Sequence, residues 1–218
     1  NLMVSAGAFP AEISVQTALG RLLSKYPDLK VTYSTVMWAQ ARKDVLEGRA
    51  DIAVGDISDL LPAGHPDLDI EPIAPRSVRF CCRFGHPLAA RDEVSLADIF
   101  SFPFASMAMT RKVGPLLPND VSKAGAIDPE TGYFVPRLTV NTLRSALAIV
   151  QESDAVTFVH PSYIASEIAQ KRLHLLPVAF DWMKVHYGFM QLKGRSLSPA
   201  AFPYTTLFRS RSEERRVG

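Results

Sequence analysis

The chain has 218 residues, of which 47% are hydrophobic and 21% are charged. These values are ordinary for a folded globular protein and exclude a largely disordered chain. No segment approaches the roughly 20 uncharged apolar residues of a membrane span, and the first residues lack the pattern of a signal peptide, so we expect no membrane contact.

The net charge of +2 comes from the last sixteen residues, which hold four arginines and two glutamates. Residues 1–202 therefore carry 20 basic and 20 acidic side chains. DNA binding requires a basic surface that neutralises phosphates, so this part of the chain is not itself expected to bind DNA. Residues 203–218, PYTTLFRSRSEERRVG, resemble the conceptual translation of a sequencing adapter joined to its own reverse complement, and we predict that this tail is not native.

Strand and helix patterns alternate from the first residue. The first part of the chain predicts strands at 2–6, 30–35, 50–55 and 70–73 and helices at 10–26 and 38–46. Gly48 follows the second helix, where a left-handed residue commonly ends a helix. The apolar run at 50–55 is typical of a central parallel strand that is covered on both faces. Two strand–helix units within 55 residues predict a doubly wound α/β sheet.

A second α/β series begins after Pro75. Ser95 and Asp98 form a capping-box pattern at the start of a helix, and three prolines interrupt the segment 110–134, for which we predict one weak helix. A last helix is predicted to begin at Ser198. The other predicted elements are strands at 78–83, 103–106, 137–140, 154–159, 173–178 and 185–192, a helix capped by Asn141 or Thr142, and a helix from Pro161 to about Lys171.

Residues that could carry chemistry are few. Cys81 and Cys82 are adjacent, and neighbouring Cα atoms lie too close for an ordinary disulfide, so a reduced, cytoplasmic protein is expected. Either thiol with His86 could suggest a nucleophile and a base, but buried structural cysteines are favoured. The five histidines lack metal-ligand spacing and no phosphate-binding loop occurs. We therefore predict no catalytic residues, no metal, no cofactor and no enzyme.

Several motifs, in order along the chain, resemble the effector-binding domain of LysR-type transcriptional regulators. The segment FGHPLA at 84–89, followed by VSLADI at 94–99 and Pro103, is similar to that family's HPLA region. Further segments with the family's order and spacing are 19–27, 45–53, 140–161 and 173–177.

The resemblance implies an α/β fold of two doubly wound lobes, of the periplasmic-binding-protein type 2 kind, joined by two crossing strands near 74–78 and 178–184. Lobe I would comprise residues 1–76 and 181–202, and lobe II residues 77–180. A small-molecule effector would bind in the cleft between the lobes. DNA would be bound only by an N-terminal helix-turn-helix domain that this chain lacks.

The resemblance also implies a homodimer or homotetramer, in which the helix from Ala11 to Tyr26 pairs with a partner's second lobe. A solute-binding protein of a transporter is the alternative with the same architecture. An enzyme built on this fold would need a set of catalytic side chains that the sequence does not contain.

Effector contacts in the family come from loops at the carboxyl ends of strands and from helix N-termini, which favour anions. On this chain they correspond to Gly7, Ala8, Phe9, Met37 and Trp38 in lobe I, and to Ser106, Met107, Asn141, Thr142 and His160 in lobe II. Many members of the family have Ser at the position of Gly7. Residues 36–38 have the sequence Val-Met-Trp, where the family often has a Gly-Ser/Thr-like loop. The aromatic and thioether groups suit an apolar or aromatic effector. Core packing is the alternative role for Trp38, and a structural turn is the favoured alternative for His160.

Overall fold

The computed structural model of the protein describes residues 1–61, 63–73 and 75–194, with the backbone alone for Trp38. The chain divides into two units: unit 1 holds residues 1–76 and those from 185 onward, and unit 2 holds residues 77–184. The lobe boundaries expected from the family resemblance are 76/77 and 180/181, whereas the units divide at 76/77 and 184/185. The helix predicted from Ser198 and the tail 203–218 lie outside the described residues.

Unit 1 is built on a five-stranded sheet with the order β2-β1-β3-β14-β4. Strand β1 runs parallel to β2 and to β3, whereas β14 runs antiparallel to β3 and to β4. The apolar strand β3 is therefore central, as predicted, but it has a parallel neighbour on one side only. The strands are β1 (Leu2–Gly7), β2 (Val31–Val36), β3 (Ile52–Asp56), β4 (Leu68–Pro72) and β14 (Tyr187–Leu192).

Helix α1 follows β1 directly and covers one face of this sheet. It consists of an α-helical turn, Ala8–Pro10, a π-helical turn, Ala11–Val15, and a longer α-helical part, Gln16–Lys25. Pro10 is tolerated because N–H groups of a first helical turn have no intrahelical acceptor. Tyr26 ends the helix with φ −134° and ψ 76°, since a residue before proline avoids the helical region.

Alternating residues of β1 and β3 divide the core of unit 1 between the two faces of the sheet. Val4 and Val54 face α1 and pack with its Leu19 and Leu22, together with other buried apolar side chains. The opposite face is covered by helix α2 (Trp38–Leu46) and forms a second cluster that includes Ala41, Val45, Ala53 and Met190. Each fully buried Val or Leu contributes about 1.5–3 kcal/mol, so these clusters fix both helices on the sheet.

Unit 2 contains three small sheets. Strand β6 lies between β11 and β12 and is antiparallel to both, β7 and β10 are parallel, and β8 and β9 form an antiparallel pair. The strands are β6 (Arg79–Arg83), β7 (Ala105–Ser106), β8 (Gly125–Ile127), β9 (Phe134–Pro136), β10 (Leu138–Thr139), β11 (Thr157–Val159) and β12 (Leu173–Leu175). The chain passes between the units at β5 (Arg76–Ser77) and β13 (Lys184–Val185), which pair with each other.

Aromatic side chains form much of the core of unit 2. Phe80, Phe100, Phe104 and Phe134 are at most 1% exposed. Phe80 contacts Phe100 and Phe104 edge to face at centroid distances of 6.3 and 6.0 Å, and Phe100 stacks on Phe104 at 5.3 Å. These geometries are the ones that aromatic quadrupoles favour. The helices of this unit are α3 (Leu96–Phe100), α4 (Leu143–Gln151) and α5 (Ala165–Ala169).

The predicted capping box is confirmed, because Ser95 Oγ accepts the Asp98 N–H while the Asp98 carboxylate accepts the Ser95 N–H. The weak helix predicted within 110–134 is wrong: this segment holds one short 3-10 turn, Gly114–Leu116, and the β8–β9 hairpin. The helix predicted from Pro161 is interrupted. A 3-10 turn, Pro161–Tyr163, precedes the short α5, and Lys171 adopts a left-handed φ of 55° beyond its end.

Candidate functional site

Three parallel strands of unit 1 end at the same edge of its sheet, and the predicted lobe I residues lie there. Gly7 is the last residue of β1 and is paired with Val36, the last residue of β2. Gly7 has φ −62° and ψ 151° and immediately precedes α1. Ala8 and Phe9 form the first turn of that helix, and both side chains are buried. Carboxyl ends of strands are where open α/β sheets bind ligands.

Met37 lies at the same edge, as the residue that precedes helix α2. Its carbonyl oxygen accepts the N–H groups of Gln40 and Ala41, at 2.8 and 3.1 Å, which starts the helix. Met37 is 41% exposed. The side chain of Trp38 is not described.

A buried polar network holds α2 against β1 behind this edge. Asp44 Oδ2 accepts a 2.7 Å hydrogen bond from the Ser5 hydroxyl, and its Oδ1 accepts from Gln40 Nε2 and Arg49 Nε at 2.8 and 3.0 Å. Burial alone would raise the pKa of Asp44. The hydrogen bonds from Gln40, Ser5 and Arg49 outweigh it and lower this pKa below its usual value. The network therefore fixes the two elements whose ends carry Gly7 and Met37.

Asp56 is a residue at this edge that the sequence analysis missed. It is the last residue of β3 and is paired with Tyr187 of β14. Its Oδ1 accepts the Ser58 N–H at 2.7 Å and a short hydrogen bond from the Ser58 hydroxyl. The signal was present in the sequence, because Asp56 directly follows the apolar run 50–55, and a residue in that position lies at the carboxyl end of a strand.

In unit 2, Ser106 and Met107 follow the short strand β7. Ser106 is paired with Thr139 of the parallel strand β10 and is 1% exposed. Its hydroxyl donates a 2.8 Å hydrogen bond to the Met107 carbonyl oxygen. The Ser106 carbonyl oxygen accepts the N–H of Val140 at 3.1 Å, which brings the residue before Asn141 to this strand end.

Thr142, one of the two residues predicted to cap helix α4, is the one that does so. Its Oγ1 accepts the Ser145 N–H at 3.1 Å and donates to the Ser145 hydroxyl at 2.8 Å. Asn141 precedes the cap and is exposed. The first N–H groups of a helix have no intrahelical acceptor, and together with the dipole they favour an anion at this end.

His160 follows β11 and precedes the 3-10 turn. Its Nδ1 lies 2.7 Å from the Ser162 hydroxyl oxygen and accepts the Ser162 N–H at 3.3 Å. The ring therefore caps the turn, which is the structural role that the sequence analysis also considered. The half-buried side chain lies at the carboxyl end of β11.

Other residues considered for chemistry have structural roles. His86 is 1% exposed, its Nδ1 accepts the Leu88 N–H at 3.0 Å, and its Nε2 lies 3.2 Å from the Asp154 carbonyl oxygen. Since Nδ1 accepts, the proton of the neutral ring lies on Nε2. Burial lowers the pKa of His86. The thiols of Cys81 and Cys82 are free, and burial raises the pKa of Cys81 and raises that of Cys82 to about 12. Both cysteines are protonated at neutral pH.

Within residues 1–61, 63–73 and 75–194, no group of three or more His, Cys, Asp or Glu side chains is placed to hold a metal ion. The same described ranges contain no helix of the length and apolarity needed to cross a bilayer.

The fold of this chain is similar to that of solved regulatory domains from bacteria. The regulatory domain of NMB2055 (MetR) from N. meningitidis aligns with a TM-score of 0.71 and 11% identity, covering 98% of this chain and 94% of that one. The CcmR regulatory domain from Synechocystis PCC6803, solved in complex with 2-PG, aligns with a TM-score of 0.68 and 17% identity, covering 97% and 96%. These likenesses establish the type 2 periplasmic-binding-protein fold.

The family model for the LysR substrate binding domain matches residues 2–211. The chain belongs to this family. The SDS degradation transcriptional activation protein of Pseudomonas sp. (strain ATCC 19151) is 28% identical over 204 residues, which cover 92% of this chain and 63% of that protein. The chain thus spans less than two thirds of the length of this relative. The relatives that it matches are transcriptional regulators.

Proposed function

We propose that this chain is the sensing part of a cytoplasmic transcription regulator and that a small organic effector binds it. The observation that carries the proposal is the family match over residues 2–211. Residues 1–202 have equal numbers of basic and acidic side chains, which supports assigning DNA contacts to a separate domain of the same polypeptide.

In unit 1, the effector contacts that we propose lie at the edge of the sheet, at Gly7, Ala8, Phe9, Met37 and Trp38. The exposed thioether of Met37 supports an apolar contact here, because a flexible, polarisable side chain adapts to a hydrophobic ligand. Phe9 adds a buried aromatic side chain in the first helical turn. These groups favour an effector with an aromatic or alkyl body.

In unit 2, the effector contacts that we propose are Ser106, Met107, Asn141, Thr142 and His160. The N-terminus of the nine-residue helix α4 supplies backbone N–H groups and the positive end of a dipole. This arrangement supports binding of an anionic head group. The name of the Pseudomonas relative concerns SDS, an alkyl sulfate, so an apolar body with an anionic head is the first chemical class to test.

The proposed role is binding and not catalysis. Protonated, buried thiols are poor nucleophiles, and His86 uses both ring nitrogens in structural hydrogen bonds. We also propose a homodimer or homotetramer that pairs helix α1 with a second copy. The 43% exposure of Leu23 on this helix supports it, and sedimentation that detects only monomer at micromolar concentration would contradict it.

Two measurements on the purified chain test this function. Its thermal unfolding is recorded with 3-phenylpropionate, octanoate and octyl sulfate, and at least one of these is expected to raise the melting temperature through preferential binding to the folded state. Fluorescence anisotropy with a labelled DNA duplex at physiological salt is expected to show no binding. Micromolar affinity for DNA, or a melting temperature unchanged by every probe, would overturn the proposal.

A further inference from the structure

The carboxylate of Asp56 occupies a distinctive position at the edge of the unit 1 sheet. In the register of the sheet, Ala6 of β1 is paired with Val54 of β3, so Asp56 lies two residues beyond, next to the first turn of α1. Side chains alternate along a strand, and Asp56 therefore shares a face with Ile52 and Val54. Those residues belong to the cluster beneath α1, so Asp56 is on the α1 face of the edge.

The hydrogen bonds within its own turn use only one oxygen of the Asp56 carboxylate. Both of its hydrogen bonds from Ser58 end on Oδ1. Among the described residues no hydrogen bond or ion pair is assigned to Oδ2, and the side chain is half-buried. A carboxylate is an acceptor with about four lone-pair sites, so Oδ2 retains capacity for a donor.

These features determine which ligand groups the unit 1 edge can bind. We infer that Asp56 is a specificity-determining residue, which directs a hydrogen-bond donor of the effector, a hydroxyl or an ammonium group, to the unit 1 edge and repels an anionic group there. This inference rests on the proposed function, because it assumes that the edge binds the effector. It deepens that function by naming the ligand group that the unit 1 edge selects, a hydrogen-bond donor carried on an apolar body.

The test compares two probes that share an aromatic body and differ in the head group. Phenethylammonium and 3-phenylpropionate are titrated into the chain, and dissociation constants are taken from backbone amide shifts in NMR spectra. Phenethylammonium is expected to shift the amides of residues 55–58 and Gly7. Asp56→Asn is expected to weaken its binding roughly tenfold or more, the loss expected for one charge-assisted hydrogen bond.

Asp59→Asn is the matched control, since Asp59 is an exposed acid three residues away that pairs with Arg42. It removes the same charge and is expected to leave the dissociation constant unchanged. Equal weakening by both variants, unchanged binding to Asp56→Asn, or no shift at residues 55–58 would overturn the inference. Shifts by 3-phenylpropionate at residues 141–145 would support the proposed function independently, whereas no shift by either probe at any proposed site residue would count against both.

Discussion

Removal of the Asp44 carboxylate tests whether the polar network behind the unit 1 edge determines the stability of this unit. In Asp44→Ala the Ser5 hydroxyl, in a residue only 2% exposed, loses its 2.7 Å acceptor. An unsatisfied buried hydroxyl costs about 1–3 kcal/mol. The contacts of Asp44 with Gln40 and Arg49 are nearer to solvent and add about 1 kcal/mol. We expect a total destabilisation of about 2–4 kcal/mol.

Ser5→Ala is expected to cost less, about 1 kcal/mol, because it removes the hydroxyl itself and leaves Asp44 with its two other donors. The double variant has no Ser5 hydroxyl, so no buried hydroxyl is left without an acceptor. A double-mutant cycle should therefore give a coupling energy of about 1–2 kcal/mol between the two side chains. The assay is urea unfolding followed by circular dichroism, with hydrogen exchange of the β1 amides as the local measurement.

Asp59→Ala is the control for the loss of a carboxylate. Its ion pair with Arg42 at 2.7 Å is exposed, with 42% of the Asp59 side chain accessible, and such pairs contribute about 0–1 kcal/mol. The reasoning is refuted if Asp44→Ala and Asp59→Ala have the same free energy of unfolding, or if the Ser5–Asp44 coupling is zero.

Two further predictions concern the folded state. Burial lowers the pKa of His86 despite its hydrogen bond to Asp154, so the unfolded chain binds the proton first. The free energy of unfolding should therefore decline as the pH falls from about 6.5, the pKa of an unfolded histidine, to the lower pKa of folded His86. In urea titrations, His86→Gln should lack this part of the pH dependence. Gly188→Ala would place a Cβ 2.6 Å from the Glu71 carbonyl oxygen and should lower stability by about 1–3 kcal/mol. Gly20→Ala, in open space on α1, should raise it by about 0.5–1 kcal/mol; calorimetry showing equal effects would contradict this contrast.

Local patterns in the sequence were enough for the elements whose signals are short-range. The apolar periodicity of α2, the left-handed Gly48 with φ 72° after it, and the Ser95–Asp98 capping box each depend on residues within a few positions. Thr142 is confirmed as a cap of α4 for the same reason. Both capping signals are satisfied by backbone groups of the same turn, so a few neighbouring residues are enough to recognise them.

The features that were missed depend on contacts between distant segments. Residues 110–134 are a hairpin and not a helix because β8 pairs with β9, and Gly125 permits a close approach in which a Cβ would lie 2.2 Å from the Val135 carbonyl oxygen. Strand β14 runs antiparallel beside β3, although Asp56 and its partner Tyr187 are 131 positions apart in the sequence. The π-helical turn Ala11–Val15 has no signal in the apolar pattern.

The candidate site was only partly accessible from the sequence. The rule that ligands bind at the carboxyl ends of strands located Gly7, Met37 and Ser106, and it could equally have located Asp56. The position of a residue at a strand end does not predict how far its side chain is buried. Phe9 is 6% exposed whereas Met37 is 41% exposed, and this difference arises because α1 folds back over the sheet while the residue before α2 faces outward.

The central claim, that the chain binds a small organic effector at these strand ends, is tested most directly by mapping one ligand on the protein. Backbone amide shifts would be recorded for the chain with millimolar 3-phenylpropionate. We predict that the largest shifts occur at residues 106–107, 141–145 and 160–162 of unit 2, with smaller shifts at residues 7–9 and 36–38 of unit 1. Shifts concentrated instead on the exposed apolar residues of the β8–β9 hairpin, such as Ile127 and Val135, would contradict the claim.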